Sequence, residues 1–143
     1  MLGSESRPKN ELWWDVYPQG MRQVLDEAKA YGLPIVITEN GIADSTDVNR
    51  GRYLTEHLQQ VGAAIAAGAD VRGYFHWSLI DTVDWANGFC PKFGLSAYDQ
   101  KTKVRTLRAS GQQYKKIIRA KKIAQSDVDA LPAYVTAPVN PCN

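Results

Sequence analysis

Residues 34–41 read PIVITENG, a short apolar run that ends in a carboxylate. Runs such as 34–38 are typical of strands that are buried on both faces of a parallel sheet. Glu39 follows the run directly, and in parallel α/β folds such as barrels the chemistry sits at that end of a strand. A helix cap or a solvated loop residue is an equally ordinary role for Glu39, and residues 37–41 alone do not decide between these roles.

Helix and strand patterns alternate outward from this segment. Apolar residues at helical spacing predict helices over residues 20–31 and 50–67 and within 105–124. Residues 71–79 (VRGYFHWSL) are rich in β-branched and aromatic residues and predict a second strand. This alternation predicts an α/β fold with parallel strands and right-handed crossovers. Two strands are too few for a stable sheet, so we expect the chain to be one part of a larger fold.

The composition is that of a soluble globular domain. The chain has 143 residues, of which 44% are hydrophobic and 22% are charged. Its polar first residues predict a flexible leader over 1–11, and its alternating patterns predict a folded segment over 12–124. The prolines and polar residues that follow predict an irregular tail over 125–143.

Basic residues cluster in the last third of the chain. No acidic residue lies between Asp99 and Asp127, whereas the same stretch contains nine basic residues: Lys101, Lys103, Arg105, Arg108, Lys115, Lys116, Arg119, Lys121 and Lys122. Such a run could bind nucleic acid, but a solvated helix face with cations near its C-terminus is the more common reason for one. Because no nucleic-acid-binding motif accompanies the run, we expect no nucleic-acid partner.

The two cysteines and the apolar runs bear on cellular location. Cys90 and Cys142 are far apart in sequence and lack metal-ligand spacing, so we expect neither a metal site nor a disulfide, and a reducing compartment fits. The polar first residues lack the apolar core of a signal peptide. No apolar run approaches the roughly 20 residues of a membrane span. We therefore expect a cytoplasmic protein with no membrane partner.

Residues 73–95 read GYFHWSLIDTVDWANGFCPKFGL and form a second chemical cluster, just past the second predicted strand. Trp77 and Trp85 flank Asp81 and Asp84. Aromatic rings stack on the apolar C–H faces of sugars, and carboxylates and indole N–H groups bind sugar hydroxyls. A single tryptophan is more often a core residue, but two tryptophans grouped with carboxylates at a strand end favour a sugar-binding site.

Several motifs together resemble glycoside hydrolase family one. Residues 17–21 (YPQGM) resemble the family's YPEGL, 37–41 match its ITENG, and 77–95 resemble its WSLLDNFEWxxGYxxRFGL. Residues 105–118 resemble the segment that leads into its last helix. The resemblance covers roughly residues 12–119. It implies the C-terminal portion of a (β/α)8 TIM barrel, about strands seven and eight with their flanking helices, which is incomplete by itself.

The resemblance also implies roles for individual residues. Glu39 matches the nucleophile that attacks the anomeric carbon, and Trp77 matches the ring stacked under the glycone. Trp85 matches a donor to a sugar hydroxyl, and Phe93 matches an aromatic residue near the sugar's hydroxymethyl group. Asp84 stands where the family usually has Glu, which binds the two hydroxyls farthest from the scissile bond. Because Asp is one methylene shorter than Glu, the choice between gluco- and galacto-sugars is open, and a neutral glycone is favoured over a phosphorylated one.

The family's acid/base glutamate lies in a TxNEP motif, and this motif does not occur in the chain. Retaining hydrolysis needs two carboxyl groups about 5–5.5 Å apart. The resemblance therefore implies a retaining β-glycosidase that forms a covalent glycosyl-enzyme at Glu39. A complementary N-terminal barrel chain or segment would supply the acid/base. No metal or organic cofactor is implied. The alternative is a non-catalytic sugar-binding or regulatory fragment of the same family.

Overall fold

The computed structural model describes residues 7–135 and 142. In this part of the chain, helices and strands follow in the order α1 (Pro18–Lys29), β1 (Ile35–Asn40), α2 (Arg50–Ala66), β2 (Val71–His76), β3 (Ser96–Tyr98), β4 (Arg105–Leu107), α3 (Ala109–Ala120) and α4 (Gln125–Asp129). The predicted alternation of helices and strands is present, and most element boundaries lie within a few residues of those expected.

The sheet formed by β1 and β2 buries one face and exposes the other. The two strands pair in parallel, and α1 and α2 pack on the same side of them. The core on that side contains Leu25 of α1 and Val61 of α2, with Ile37 of β1 packed against them. On the opposite side Val36 is 49% exposed and Phe75 is 61% exposed. Both faces of the strands were expected to be buried. The residues that the structure describes cover only one of them.

The pairing of β1 with β2 contains a bulge just before the end of β1. Ile37 pairs with Tyr74, and the next pair is Asn40 with His76, so β1 advances three residues while β2 advances two. An extra residue of this kind changes which face of the sheet the following side chains occupy. Thr38 and Glu39 are both exposed, whereas Asn40 is half-buried.

The last predicted helix begins later than its sequence pattern indicates. Residues 105–107 form β4, which pairs antiparallel with β3, and α3 begins only at Ala109. The turn between the strands is fixed by Asp99, whose Oδ1 accepts hydrogen bonds from the backbone N–H groups of Lys101 and Thr102 at 2.8 and 2.9 Å. The three-residue strands are too short to leave a clear periodic signal.

The described ends of the chain are more ordered than expected. Residues 1–6 of the predicted leader lie outside the described residues, but Glu11 is buried and accepts a hydrogen bond from the Ser45 backbone N–H at 2.8 Å. The tail was expected to be irregular, yet α4 lies within it. Further on, Asn49 and Val135 exchange hydrogen bonds of 2.7 and 2.8 Å, which fix this part of the tail near the start of α2.

The expectation of unpaired cysteines is wrong. Cys90 and Cys142 form a disulfide, with their Cα atoms 5.5 Å apart despite 52 residues of sequence separation. The pair is close because the tail returns to the loop that follows β2, a tertiary contact that spacing along the chain does not reveal. The reducing compartment inferred from unpaired cysteines loses that support. Among the described residues, no helix combines the length and apolar character needed to cross a membrane.

Candidate functional site

All five predicted site residues lie around two cavities at the carboxyl ends of β1 and β2. Glu39, Trp77, Asp84 and Trp85 line a cavity of about 390 Å³ together with Val83 and Ala86. A second cavity of about 350 Å³ shares three of these residues and is lined by Trp14, Glu39, Asn40, Gly41, Tyr53, Trp77, Asp84 and Phe93. The two clusters meet because the carboxyl ends of parallel strands lie at the same edge of a sheet.

A close backbone approach joins the two strand ends. The Trp77 backbone N–H donates a hydrogen bond to the Asn40 carbonyl oxygen at 3.0 Å. A Cβ atom on Gly41 would lie 1.6 Å from the Trp77 carbonyl oxygen. Only glycine fits at this position, because any side chain would overlap a backbone atom. The glycine of the ENG sequence is thus required by the distance between the strand ends.

The Glu39 carboxylate faces the cavities without a fixed partner. Glu39 is exposed, and it lines both cavities beside Trp77. Within the described part of the chain, its carboxylate takes part in no hydrogen bond or ion pair. A carboxylate that is free of neighbouring donors and faces a cavity can act as a nucleophile or base toward a bound molecule.

Aromatic side chains form the walls of the site. Trp77 is 38% exposed and Trp85 is fully exposed, so both present ring surface to a ligand. Phe93 is only 6% exposed and lies beneath Trp14, with 6.2 Å between the ring centroids. Trp14 was not among the predicted site residues. The aromatic-rich stretch 11–17 is the signal that could have indicated it.

Asp84 is partly engaged by its own loop. Its Oδ1 accepts hydrogen bonds from the backbone N–H groups of Ala86 and Asn87 at 3.1 and 2.9 Å, and from the Asn87 side-chain amide at 2.8 Å. The Asn87 side chain contributes most to lowering the pKa of Asp84. The other carboxylate oxygen is left for a ligand, since no described residue donates to it. Asp84 therefore closes a loop as well as lining the cavity.

Asp81, the other carboxylate of the cluster, has a structural position. It is 5% exposed and forms a two-fold ion pair with Arg108, with both N–O distances 2.9 Å. Burial opposes its ionisation, but hydrogen bonds from Arg108 and the Gly94 N–H outweigh that effect and lower its pKa. This ion pair ties the loop after β2 to the start of α3.

A buried arginine connects the loops beneath the site. Arg50 is fully buried, donates a hydrogen bond to the Lys92 carbonyl oxygen at 2.7 Å, and pairs with Asp47. Asp47 in turn accepts a hydrogen bond from the Ser110 backbone N–H at 2.9 Å. The network links the loop after β1, the segment before Phe93 and the first turn of α3. Arg50 could not be anticipated from the sequence, since in a sequence pattern a buried arginine at the start of an amphipathic helix looks like a solvated one.

No group of three or more His, Cys, Asp or Glu side chains in residues 7–135 and 142 is arranged to hold a metal ion. The described groups around the cavities are a free carboxylate, a second carboxylate held by its loop, and exposed aromatic rings. Aromatic rings beside carboxylates suit a polyhydroxylated ligand that has apolar C–H faces.

Comparisons with known proteins agree with this chemistry. The family model described as glycosyl hydrolase family 1 matches residues 3–123. The chain is 43% identical over 107 residues to a β-galactosidase of Pyrococcus woesei. The aligned region covers 75% of this chain and 21% of that protein. It is 45% identical over 111 residues to a β-galactosidase of Saccharolobus solfataricus, and this alignment covers 77% of this chain and 23% of that protein.

A solved β-glycosidase from Pyrococcus horikoshii superposes with a TM-score of 0.87 at 42% identity, covering 92% of this chain and 31% of that chain. The chain thus spans about a fifth of the length of the two relatives and about a third of this structure. The predicted fold class is confirmed, since the described residues match part of a TIM-barrel protein. The chain belongs to glycosyl hydrolase family 1.

Proposed function

We propose that this chain supplies the nucleophile and part of the sugar pocket of a retaining β-glycosidase. The observation that carries the proposal is the position of Glu39, which follows β1, faces the cavities and lies beside Trp77 and Asp84. The relatives are β-galactosidases and a β-glycosidase. Trp77 would stack under the glycone, Asp84 and Trp85 would bind its hydroxyls, and Phe93 would lie near its hydroxymethyl group. The substrate class is therefore a β-glycoside with a neutral glycone.

The reaction would proceed in two displacements. In the first, a Glu39 oxygen bonds to the anomeric carbon while the bond to the leaving oxygen breaks, and that oxygen takes a proton from the acid/base carboxyl. In the second, the same group removes a proton from water, the water oxygen bonds to the anomeric carbon, and Glu39 is released. Asp84 is held by its loop and is assigned to the glycone, so the acid/base must come from a complementary N-terminal barrel chain or segment.

The test uses a complemented barrel, which we define as this chain co-expressed with an N-terminal barrel segment of the Pyrococcus horikoshii β-glycosidase. Glu39→Gln should abolish hydrolysis of an aryl β-glucoside, because an amide is not an effective nucleophile. Azide added to Glu39→Gly should restore cleavage and give an α-glycosyl azide. Glu27→Gln, an exposed change on α1, is the matched control and should leave the rate unchanged. Full activity of Glu39→Gln would contradict the assignment.

A second candidate is a non-catalytic sugar-binding or regulatory fragment. The exposed rings of Trp77 and Trp85 favour it, because they offer a stacking surface on this chain without any second polypeptide. Calorimetric titration of the chain with glucose and cellobiose distinguishes the two candidates. Binding to the chain alone, together with an inactive complemented barrel, would support the fragment role and contradict the enzyme.

A cytoplasmic location remains a prediction. Disulfides persist mainly in oxidising compartments, although intracellular proteins of hyperthermophiles also contain them. The thiol state of Cys90 and Cys142 in cells tests the prediction directly. Acid quenching followed by alkylation and mass spectrometry should show alkylated thiols if the compartment is reducing, and an intact disulfide would argue against it.

A further inference from the structure

The bulge in β1 determines which side chain faces the cavity. In a regular strand, successive side chains alternate between the two faces, so Glu39 would share a face with Ile35 and Ile37. Those two residues pack against the helices. The bulge between the Ile37 and Asn40 pairs removes this alternation. As a result Glu39 is exposed at the cavities, and the Asn40 side chain turns toward α2.

Two tyrosines hold the Asn40 side chain in that position. The Tyr74 hydroxyl of β2 donates a hydrogen bond to Asn40 Oδ1 at 2.8 Å. Asn40 Nδ2 donates one to the Tyr53 hydroxyl of α2 at 3.0 Å. The Asn40 carbonyl oxygen accepts a third bond from the Trp77 N–H at 3.0 Å. Asn40 is therefore fixed to both neighbouring elements on the carboxyl side of the bulge.

The tyrosines are themselves held by packing and hydrogen bonds. Tyr53 is 9% exposed, and its ring stacks on His57 with 3.8 Å between centroids. Tyr74 packs against the core between the helices and the sheet, and its carbonyl oxygen accepts a hydrogen bond from the Tyr114 hydroxyl at 3.3 Å. Side chains held by packing and by hydrogen bonds keep a neighbouring reactive group in one geometry.

We propose that Tyr53 and Tyr74 are positioning residues that act through Asn40 to keep the β1 bulge closed and the Glu39 carboxylate aimed into the cavity. This inference rests on the proposed function, since it concerns the aim of the nucleophile. Neither hydroxyl needs to touch the substrate. Loss of either bond frees one side of Asn40, which lets the bulge relax toward regular pairing and turns Glu39 away from the anomeric carbon.

The test measures the first chemical step alone. 2-Deoxy-2-fluoro-β-glucosyl fluoride loses fluoride as Glu39 bonds to its anomeric carbon, and fluoride leaves without protonation, so the rate of labelling reports on the nucleophile. In the complemented barrel, Tyr53→Phe and Tyr74→Phe should each lower the maximal labelling rate roughly 10- to 100-fold, the range expected for a displaced reacting group. The reagent concentration that gives half the maximal rate should change little.

Two comparisons distinguish a change in the orientation of the Glu39 carboxylate from a general loss of stability. Tyr134→Phe removes a hydroxyl that donates to Glu56 at 2.8 Å from a ring that packs beside Tyr53. Because it leaves both bonds to Asn40 intact, it should label at the wild-type rate. In an Asn40→Ala background, Tyr74→Phe should cause no further slowing, because both changes remove the same link.

Two results would contradict different claims. Wild-type labelling rates in Tyr53→Phe and Tyr74→Phe would overturn the positioning role, and so would additive effects with Asn40→Ala. A wild-type complemented barrel that takes up no label at Glu39 would instead overturn the proposed function. Peptide mass spectrometry of the labelled protein identifies the modified residue.

Discussion

At the scale of single residues, we expect Asp84 to have two roles that mutation can separate. One oxygen closes the loop through Ala86 and Asn87, and no described residue donates a hydrogen bond to the other. Asp84→Glu restores the longer reach that the family usually has, so it should shift the ratio of glucoside to galactoside hydrolysis in the complemented barrel. Asp84→Asn is the control, because it keeps an acceptor for the loop and removes the charge. An unchanged ratio in Asp84→Glu would show that Asp84 does not contact the hydroxyls that distinguish the two sugars.

His76 predicts how stability depends on pH. Both ring nitrogens are buried, and no hydrogen bond of normal geometry from a described residue reaches them. Burial, together with the nearby charge of Arg50, lowers the pKa of His76 from 6.5 to about 4. Between pH 4 and 6.5, His76 is therefore protonated in the unfolded chain but neutral in the folded chain. The contribution of the neutral His76 to the free energy of unfolding should be fully present above about pH 6.5. It should be lost as the pH drops from 6.5 toward 4.

Between pH 6.5 and 4, the titration of His76 should lower the free energy of unfolding by up to about 3 kcal/mol. Thermal unfolding of the complemented barrel at several pH values measures it. His76→Phe removes this titration, so the melting temperature should depend less on pH. Part of the pH dependence should remain, because burial also lowers the pKa of His57. The same slope between pH 4 and 6.5 in wild type and His76→Phe would contradict the assignment.

At the scale of elements, the approach of β1 to β2 depends on Gly41. Gly41→Ala places a Cβ atom 1.6 Å from the Trp77 carbonyl oxygen, a backbone atom that cannot move without displacing the strand end. We expect the free energy of unfolding to fall by about 1–3 kcal/mol or more, and the activity to be lost. Denaturant unfolding and the rate of aryl β-glucoside hydrolysis measure the two effects.

Gly62→Ala is the matched control for Gly41→Ala. It lies within α2, and a Cβ atom there meets nothing within 4 Å. It should therefore raise the free energy of unfolding by about 0.5–1 kcal/mol, because alanine is the better helix former. Equal effects of the two substitutions would show that the contact between the strand ends is unimportant.

The elements also show what the sequence can predict. The helical spacing of apolar residues located α1 and α2, and an apolar run and a segment rich in β-branched and aromatic residues located the two parallel strands. The β1 bulge was not predictable, since strand register depends on pairing across the sheet. The hairpin of β3 and β4 and the Cys90–Cys142 disulfide were missed for related reasons: the strands are too short for periodicity, and the disulfide depends on how the tail returns.

The candidate site was predictable to a similar extent. Motif resemblance indicated five of the residues that line the cavities, and their roles remain predictions. The residues that support them were missed, because Asn40, Tyr53 and Tyr74 acquire their contacts only when α2 packs on the strands. Trp14 was missed because, although it lies just before residues 17–21, its contact with Phe93 forms only in the tertiary structure. Such supporting contacts require the tertiary structure.

At the scale of the whole molecule, the described chain leaves an apolar surface at the sheet. Val36, Phe75 and Leu79 are 49%, 61% and 67% exposed, and the sheet of β1 and β2 contains two strands. Each strand therefore has an edge without a neighbour in the described residues. Open edges and apolar faces recruit other chains. We expect the chain to self-associate when it is expressed alone.

We expect Glu39 to act as a nucleophile only when a second segment completes the barrel. The most direct measurement is a titration of this chain into the N-terminal barrel segment while aryl β-glucoside hydrolysis is recorded. Activity should be absent from either component, appear on mixing and saturate at a ratio of one to one. Chain with Glu39→Gln should form the same complex, seen by native mass spectrometry, without activity. A chain that is a monodisperse, cooperatively melting monomer by itself, and that yields no hydrolysis on mixing, would contradict this dependence on a second segment.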